Sequence, residues 1–120
     1  TTGSCLCGAV RIVYTGKPVT KGLCHCLDCR KISGTAFSTN LLFPSTAITL
    51  HSGTPRTYTT HGGSGQPITS FFCGACGTTL YRETPVFPGL TVVKAGVLDD
   101  ARALDALARP ALEIFARRRA

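Results

Sequence analysis

The segment Cys24-His25-Cys26-Leu27-Asp28-Cys29 packs three thiols into six positions. Thiols this close cannot all pair with one another as disulfides. Three soft sulfur ligands at C-x-C-x-x-C spacing suit a zinc ion, which takes thiolates at about 2.3 Å in a tetrahedron. Two further clusters frame this one: Cys5-Leu6-Cys7-Gly8 and Cys73-Gly74-Ala75-Cys76-Gly77. All seven cysteines of the chain fall in these three clusters. Seven is odd and the pairs sit at knuckle spacing, so a metal framework in a reducing compartment outweighs a disulfide framework.

Seven thiolates divide into four plus three. Structural zinc sites are closed by four protein ligands, whereas catalytic ones keep three and leave the fourth position to water or substrate. Cys24, Cys26 and Cys29 are local enough to share one metal. Cys5 and Cys7 are then left to join Cys73 and Cys76 across roughly 70 residues, a clamp that turns metal-binding energy into folding energy for a small core. His25 could close the central site as a fourth ligand and make both metals structural. Adjacent side chains on an extended backbone point to opposite sides, however, which favours the open site.

An open three-thiolate zinc is electron-rich, a poor activator of water and better suited to holding another thiolate. The inferred substrate is therefore a small-molecule thiol or thioether compound, its sulfur held as a thiolate or stabilised as a leaving group. Arg30 and Lys31, directly after Cys29, either receive carboxylates of an anionic substrate or form an ordinary solvated basic pair. His25, Asp28 and Ser33 are the nearby candidates for a general acid or base, and spacing does not choose among them. His51 and His61 lie in turn-like surroundings and read as solvated surface histidines.

The elements that must position these clusters are short. Residues 9–14 form a β-branched and aromatic strand leaving the first knuckle, and residues 1–4 before it are a polar lead. Residues 18–23 connect to the central cluster. Residues 30–37 read as a turn or short helical segment punctuated by Gly34. Strands are expected at 38–43, 48–50, 56–60 and 68–72, the last delivering the third knuckle, and again at 78–82 and 90–95. Leu98-Asp99-Asp100 opens the one plausible helix, with aspartates suited to its first turn, Leu98, Ala101, Leu104 and Ala108 on one face, and Pro110 as its stop. Residues 113–116 read as a last edge strand.

At 120 residues the chain reads as one domain, 1–120, and 43% hydrophobic with 16% charged residues describes a globular chain. No apolar run approaches a membrane span and no signal segment opens the chain, so a cytoplasmic, intracellular protein is expected. The formal charge of +7 counts every thiol as neutral. Two zinc ions on four and three thiolates would lower it to about +4, because ligands bind deprotonated. Three of the remaining positives form the run Arg117-Arg118-Arg119 and the others are scattered, so a nucleic-acid partner is not expected. A homo-oligomer stays open.

Taken together, Cys5-x-Cys7-Gly8, Cys24-His25-Cys26-x-x-Cys29-Arg30-Lys31-x-Ser33-Gly34-x-Ala36-Phe37 and Phe72-Cys73-x-x-Cys76-Gly77-x-x-Leu80-Tyr81 resemble the glutathione-dependent formaldehyde-activating enzyme family, also called the centromere protein V family. Ala95-Gly96-x-Leu98-Asp99-Asp100 and Pro110-x-x-Glu113-Ile114-Phe115 extend the likeness to nearly the whole chain. The resemblance implies a mainly β, Mss4-like fold of short antiparallel strands with zinc knuckles and one short C-terminal helix. It implies two zincs, a structural one on Cys5, Cys7, Cys73 and Cys76 and a catalytic one on Cys24, Cys26 and Cys29. It also implies a carbon–sulfur lyase acting on glutathione adducts or related thiols. The alternative of a different class is a non-catalytic, zinc-stabilised binding module, of the chaperone or chromosome-associated kind. A purely structural domain would have no need of the third cysteine cluster.

Overall fold

The computed structural model describes residues 1–63, 65–107 and 112–114. Its strands are β1 (Thr2–Ser4), β2 (Arg11–Tyr14) and β3 (Thr20–Cys24), followed by the helix α1 (Leu27–Ser33). Then come β4 (Ser38–Pro44), β5 (Ile48–Ser52), β6 (Arg56–His61), β7 (Pro67–Phe72), β8 (Thr79–Glu83) and β9 (Leu90–Lys94). The helix α2 (Ala101–Leu107) and the strand β10 (Leu112–Ile114) close the order. The mainly β expectation holds. The helix at residues 101–107 is not alone, because the central cluster opens a second one.

Two sheets carry the strands: a small one in the order β1-β2-β5, and a larger one in the order β10-β3-β4-β9-β8-β7-β6. Every pairing of named strands is antiparallel except that of β10 with β3. In β4 and β9, Asn40 stands opposite Lys94 and Leu41 opposite Val93. Since successive strand residues face opposite sides, Leu41, Phe43 and Val93 share one face of the large sheet. They join Ile12 and Tyr14 of the small sheet and Leu80 of β8 in a single buried cluster. Tyr14 and Phe43 meet with ring centroids 5.4 Å apart. Each fully buried side chain of this size is worth about 1.5–3 kcal/mol of transfer free energy. Ser38, Asn40 and Lys94 fall on the other face, and all three are buried there.

The strands at residues 1–4 and 18–23 were unexpected from their polar, glycine-containing sequences, because their pairing partners lie elsewhere in the chain. Thr2–Ser4 is held by β2, and Thr20–Cys24 lies between β4 and β10. β10 does sit at the sheet edge, as expected of residues 113–116, although Phe115 and Ala116 lie outside the described residues, as do Ala108 and Pro110. Asp100 opens α2 as expected, its carboxylate accepting the Arg102 N–H at 2.9 Å. Leu98 is buried and Leu104 half-buried against the core, whereas Ala101 is exposed. Among the described residues no helix is long and apolar enough to cross a membrane.

Candidate metal centres

The first knuckle follows β1 and the third joins β7 to β8. Each is a tight turn ended by a glycine in the left-handed region, Gly8 at φ 81° and Gly77 at φ 82°, where a side chain would strain the backbone. Gly8 N–H donates to the Cys5 carbonyl at 3.1 Å and Gly77 N–H to the Cys73 carbonyl at 2.8 Å. These turns bring Cys5, Cys7, Cys73 and Cys76 together, with all four sulfurs within 4.8 Å of one another. Cys7 Sγ lies 3.7 Å from Cys5 Sγ and 3.7 Å from Cys73 Sγ. A tetrahedron with 2.3 Å metal–sulfur arms has edges of about 3.8 Å, so the donor set fits zinc.

Backbone N–H groups point at these sulfurs as they do at thiolates. Val10 N–H donates to Cys5 Sγ at 3.3 Å and Ala75 N–H to Cys73 Sγ at 3.4 Å. The Thr78 hydroxyl lies 3.3 Å from Cys76 Sγ and accepts the Leu6 N–H at 3.1 Å, tying the two knuckles together. Hydrogen bonds from the Thr78 side chain and backbone hold the Cys76 thiol down at about 5.

The second group forms at the junction of β3 and α1. Cys24 ends the strand. Cys26 is the N-cap of the helix, its sulfur accepting the Cys29 N–H at 3.3 Å, and Cys29 lies in the first turn. The C-x-x-C spacing is thus the spacing of an N-cap and the third helical residue, where a thiolate meets unsatisfied N–H groups. The helix begins at Leu27, ahead of residues 30–37 that read as a turn or short helical segment, and runs into them as far as Ser33. The three sulfurs lie within 4.8 Å of one another, and Cys24 Sγ donates to Cys26 Sγ at 3.3 Å. The hydrogen bond with Cys24 pulls the Cys29 thiol down to about 5, helped by Lys94 and opposed by burial. Cys24 is pushed up correspondingly, by Cys29 and by burial. Three converging thiols, two of them buried, fit a soft divalent cation, which binds them deprotonated.

His25 does not join the three converging sulfurs. Its ring is buried, tilted against Phe37 with centroids 5.5 Å apart. Asp28 is half-buried in the first turn of α1. Arg30 and Lys31 are exposed in its last turn. His51 and His61 are exposed on β5 and β6, as expected of surface histidines.

A cleft of about 410 Å3 is lined by chain neighbours of both cysteine groups, and no cysteine is among its described lining residues. One wall is Gly77, Thr78 and Thr79 beside the first group. The other is Ile32, Ser33, Phe37 and Ser38 beside the second. Ser33 donates to the Cys29 carbonyl at 2.7 Å, and Ser38 stands opposite Cys24 in the sheet. Arg30 and Lys31 do not line the cleft, but Lys94 does. Lys94 Nζ donates to Asn40 Oδ1 at 2.9 Å and to Ser38 Oγ at 3.3 Å. Burial pulls its ammonium below the usual lysine range, and the neighbouring Cys29 sulfur works against that shift.

Sequence reasoning missed Lys94, Ser38 and Asn40. The available signal was a lone charge ending the apolar strand Leu90-Thr91-Val92-Val93. Arg82 interrupts β8 in the same way. It is buried, with Nε donating to Ser70 Oγ at 3.0 Å and Nη2 without a hydrogen-bond partner among the described residues.

Fold and site together define a mainly β protein with two cysteine groups able to hold metal ions and a cleft lined by neighbours of both. The chain belongs to the glutathione-dependent formaldehyde-activating enzyme family, whose sequence profile matches residues 1–118. No curated protein matches the sequence. Among solved structures, a crystal structure of a Rhodobacter sphaeroides protein is similar at a TM-score of 0.68 and 19% identity, covering 94% of this chain and 99% of that one. That likeness shows the fold.

Proposed function

We propose that the protein is a carbon–sulfur lyase acting on adducts between a thiol, glutathione or a related compound, and a small carbonyl compound. The observation that carries this reading is the convergence of three sulfurs beside a cleft whose walls are built by their own neighbours. Cys24, Cys26 and Cys29 would hold a catalytic zinc and Cys5, Cys7, Cys73 and Cys76 a structural one, and the chemistry the catalytic ion supplies is Lewis acidity that favours the thiolate form of a sulfur.

The reaction class balances simply. In one direction a thiol sulfur bonds to the carbonyl carbon and the carbonyl oxygen gains the thiol proton. In the other, the carbon–sulfur bond breaks and the hydroxyl proton returns to sulfur. The chain's part is to bind and orient. Ser33, Ser38, Thr78 and Thr79 offer hydroxyls along the cleft, and Phe37 offers an apolar surface. Of the three candidate proton carriers, Ser33 alone lines the cleft, so we assign it contact with the reacting oxygen. His25, packed behind Phe37 and flanked by Cys24 and Cys26, takes the positioning role for both.

The test is turnover of a panel of thiol–carbonyl adducts, with the glutathione–formaldehyde pair of the family's name included. Wild-type protein should act on at least one member and Cys26→Ser on none. Undiminished turnover by Cys26→Ser would overturn the reading.

A further inference from the structure

Among the described residues Lys94 is the one charged residue lining the cleft, whose other polar side chains are the hydroxyls of serine and threonine. It is buried, only 8% exposed, and both of its hydrogen-bond acceptors among the described residues are neutral. An ammonium has three donors, so two are committed to Ser38 and Asn40 and the third remains. Among the described residues the ion pair present is Arg102 with Asp100, both on the surface, and no carboxylate reaches Lys94. Arg82 lies on the same sheet face, close enough for its charge to act on Lys94. A buried cation is costly unless anions complete it, and the sulfurs of Cys24, Cys26 and Cys29 supply part of that charge, leaving the third donor for an anion in the cleft that Lys94 lines. Ser38, which Lys94 contacts, stands opposite Cys24 in the sheet, so Lys94 lies close to where a substrate sulfur would sit.

We infer that Lys94, held by Asn40 and Ser38 and backed by Arg82, is the anion anchor of the cleft and selects thiols that carry a carboxylate near the sulfur. The inference rests on the thiol-substrate reading above and adds the group that sets specificity. It moves the anionic contact from the exposed Arg30 and Lys31 to a residue at the far end of the sequence. The recognised chemistry is a thiol and a carboxylate in one small molecule.

The experiment compares mercaptopropionate with mercaptopropanol, which share a chain and differ in charge, by calorimetric titration of the zinc-loaded protein. Wild type should bind the acid at least about tenfold more tightly, the size expected of one charge-assisted hydrogen bond. In Lys94→Gln the two affinities should come within about twofold, the loss falling on the acid. Asn40→Asp, which keeps the lysine but gives it a carboxylate partner, should erase the preference as well and decides the matter if Lys94→Gln does not fold. A wild type without preference, a preference that survives both variants, or an equal loss for both thiols would overturn the inference. Equal loss would mean that the lysine serves only to offset the cysteine sulfurs. If wild type bound neither thiol, the thiol-substrate reading would fall and the inference with it.

Discussion

Cys5, Cys7, Cys73 and Cys76 come from two turns far apart in the chain, whereas Cys24, Cys26 and Cys29 come from one strand end and one helix start. The first group joins the small sheet to the β7–β8 turn of the large one and is surrounded by backbone N–H groups and a threonine hydroxyl. The second adds no long-range tie and has a buried cation and a cleft for neighbours. Four sulfurs gathered across the chain satisfy a tetrahedral ion and resist unfolding. Three sulfurs gathered locally leave a ligand position and contribute little to chain topology. On the function proposed above, the contrast separates a group that holds the protein together from one that does chemistry.

The largest expected effect lies in breaking one group and then the other. Structural zinc contributes about 10–16 kcal/mol in small domains, as much as the whole stability of about 5–15 kcal/mol of a typical one. Cys73→Ser should therefore abolish cooperative thermal unfolding followed by circular dichroism. Cys26→Ser should keep a cooperative melt while turnover falls by at least about hundredfold. Equal destabilisation by the two variants would erase the distinction.

A smaller change sharpens the four-cysteine side alone. Thr78→Val removes the acceptor of the Leu6 N–H and the hydroxyl beside Cys76. Denaturant unfolding should register a loss of about 0.5–1.5 kcal/mol. Because the Thr78 hydroxyl is the largest influence holding Cys76 down, that thiol should titrate higher in the variant.

The smallest effect concerns the second group alone. In protein that carries zinc only on the four-cysteine group, the Cys29 thiol should titrate at about 5, below the ordinary thiol value of 9.0. A depressed value means the folded state favours the thiolate, so the ultraviolet thiolate absorbance that Cys29→Ser removes should persist at neutral pH and vanish as pH falls through about 5. A Cys29 contribution appearing only near pH 9.0 would contradict the electrostatics of this group.

The cysteine groups could be read from sequence because ligand spacing is local, and the four-plus-three division needed only counting. Strands such as β4 and β9 could be read for a similar reason, as β-branched and apolar residues announce a pleated, buried surface. β1 and β3 could not, since Thr2-Gly3-Ser4 and Thr20-Lys21-Gly22 become strands only through partners elsewhere. The start of α1 was hidden because Cys26 reads as a metal ligand while also serving as a helix cap. Lys94 illustrates the same limit within the site. Its role depends on Asn40 and Ser38, more than 50 residues away in the chain and adjacent only in the folded sheet. Arg30 and Lys31, adjacent to Cys29 in sequence, point instead to solvent.

Zinc per chain, measured by elemental analysis on freshly purified protein with added zinc at neutral pH, tests the central claim most directly. The two cysteine groups predict a value close to two in wild type and close to one in Cys26→Ser, with the melt of the latter still cooperative. A wild-type value that stays close to one would leave Cys24, Cys26 and Cys29 without a metal and contradict the account.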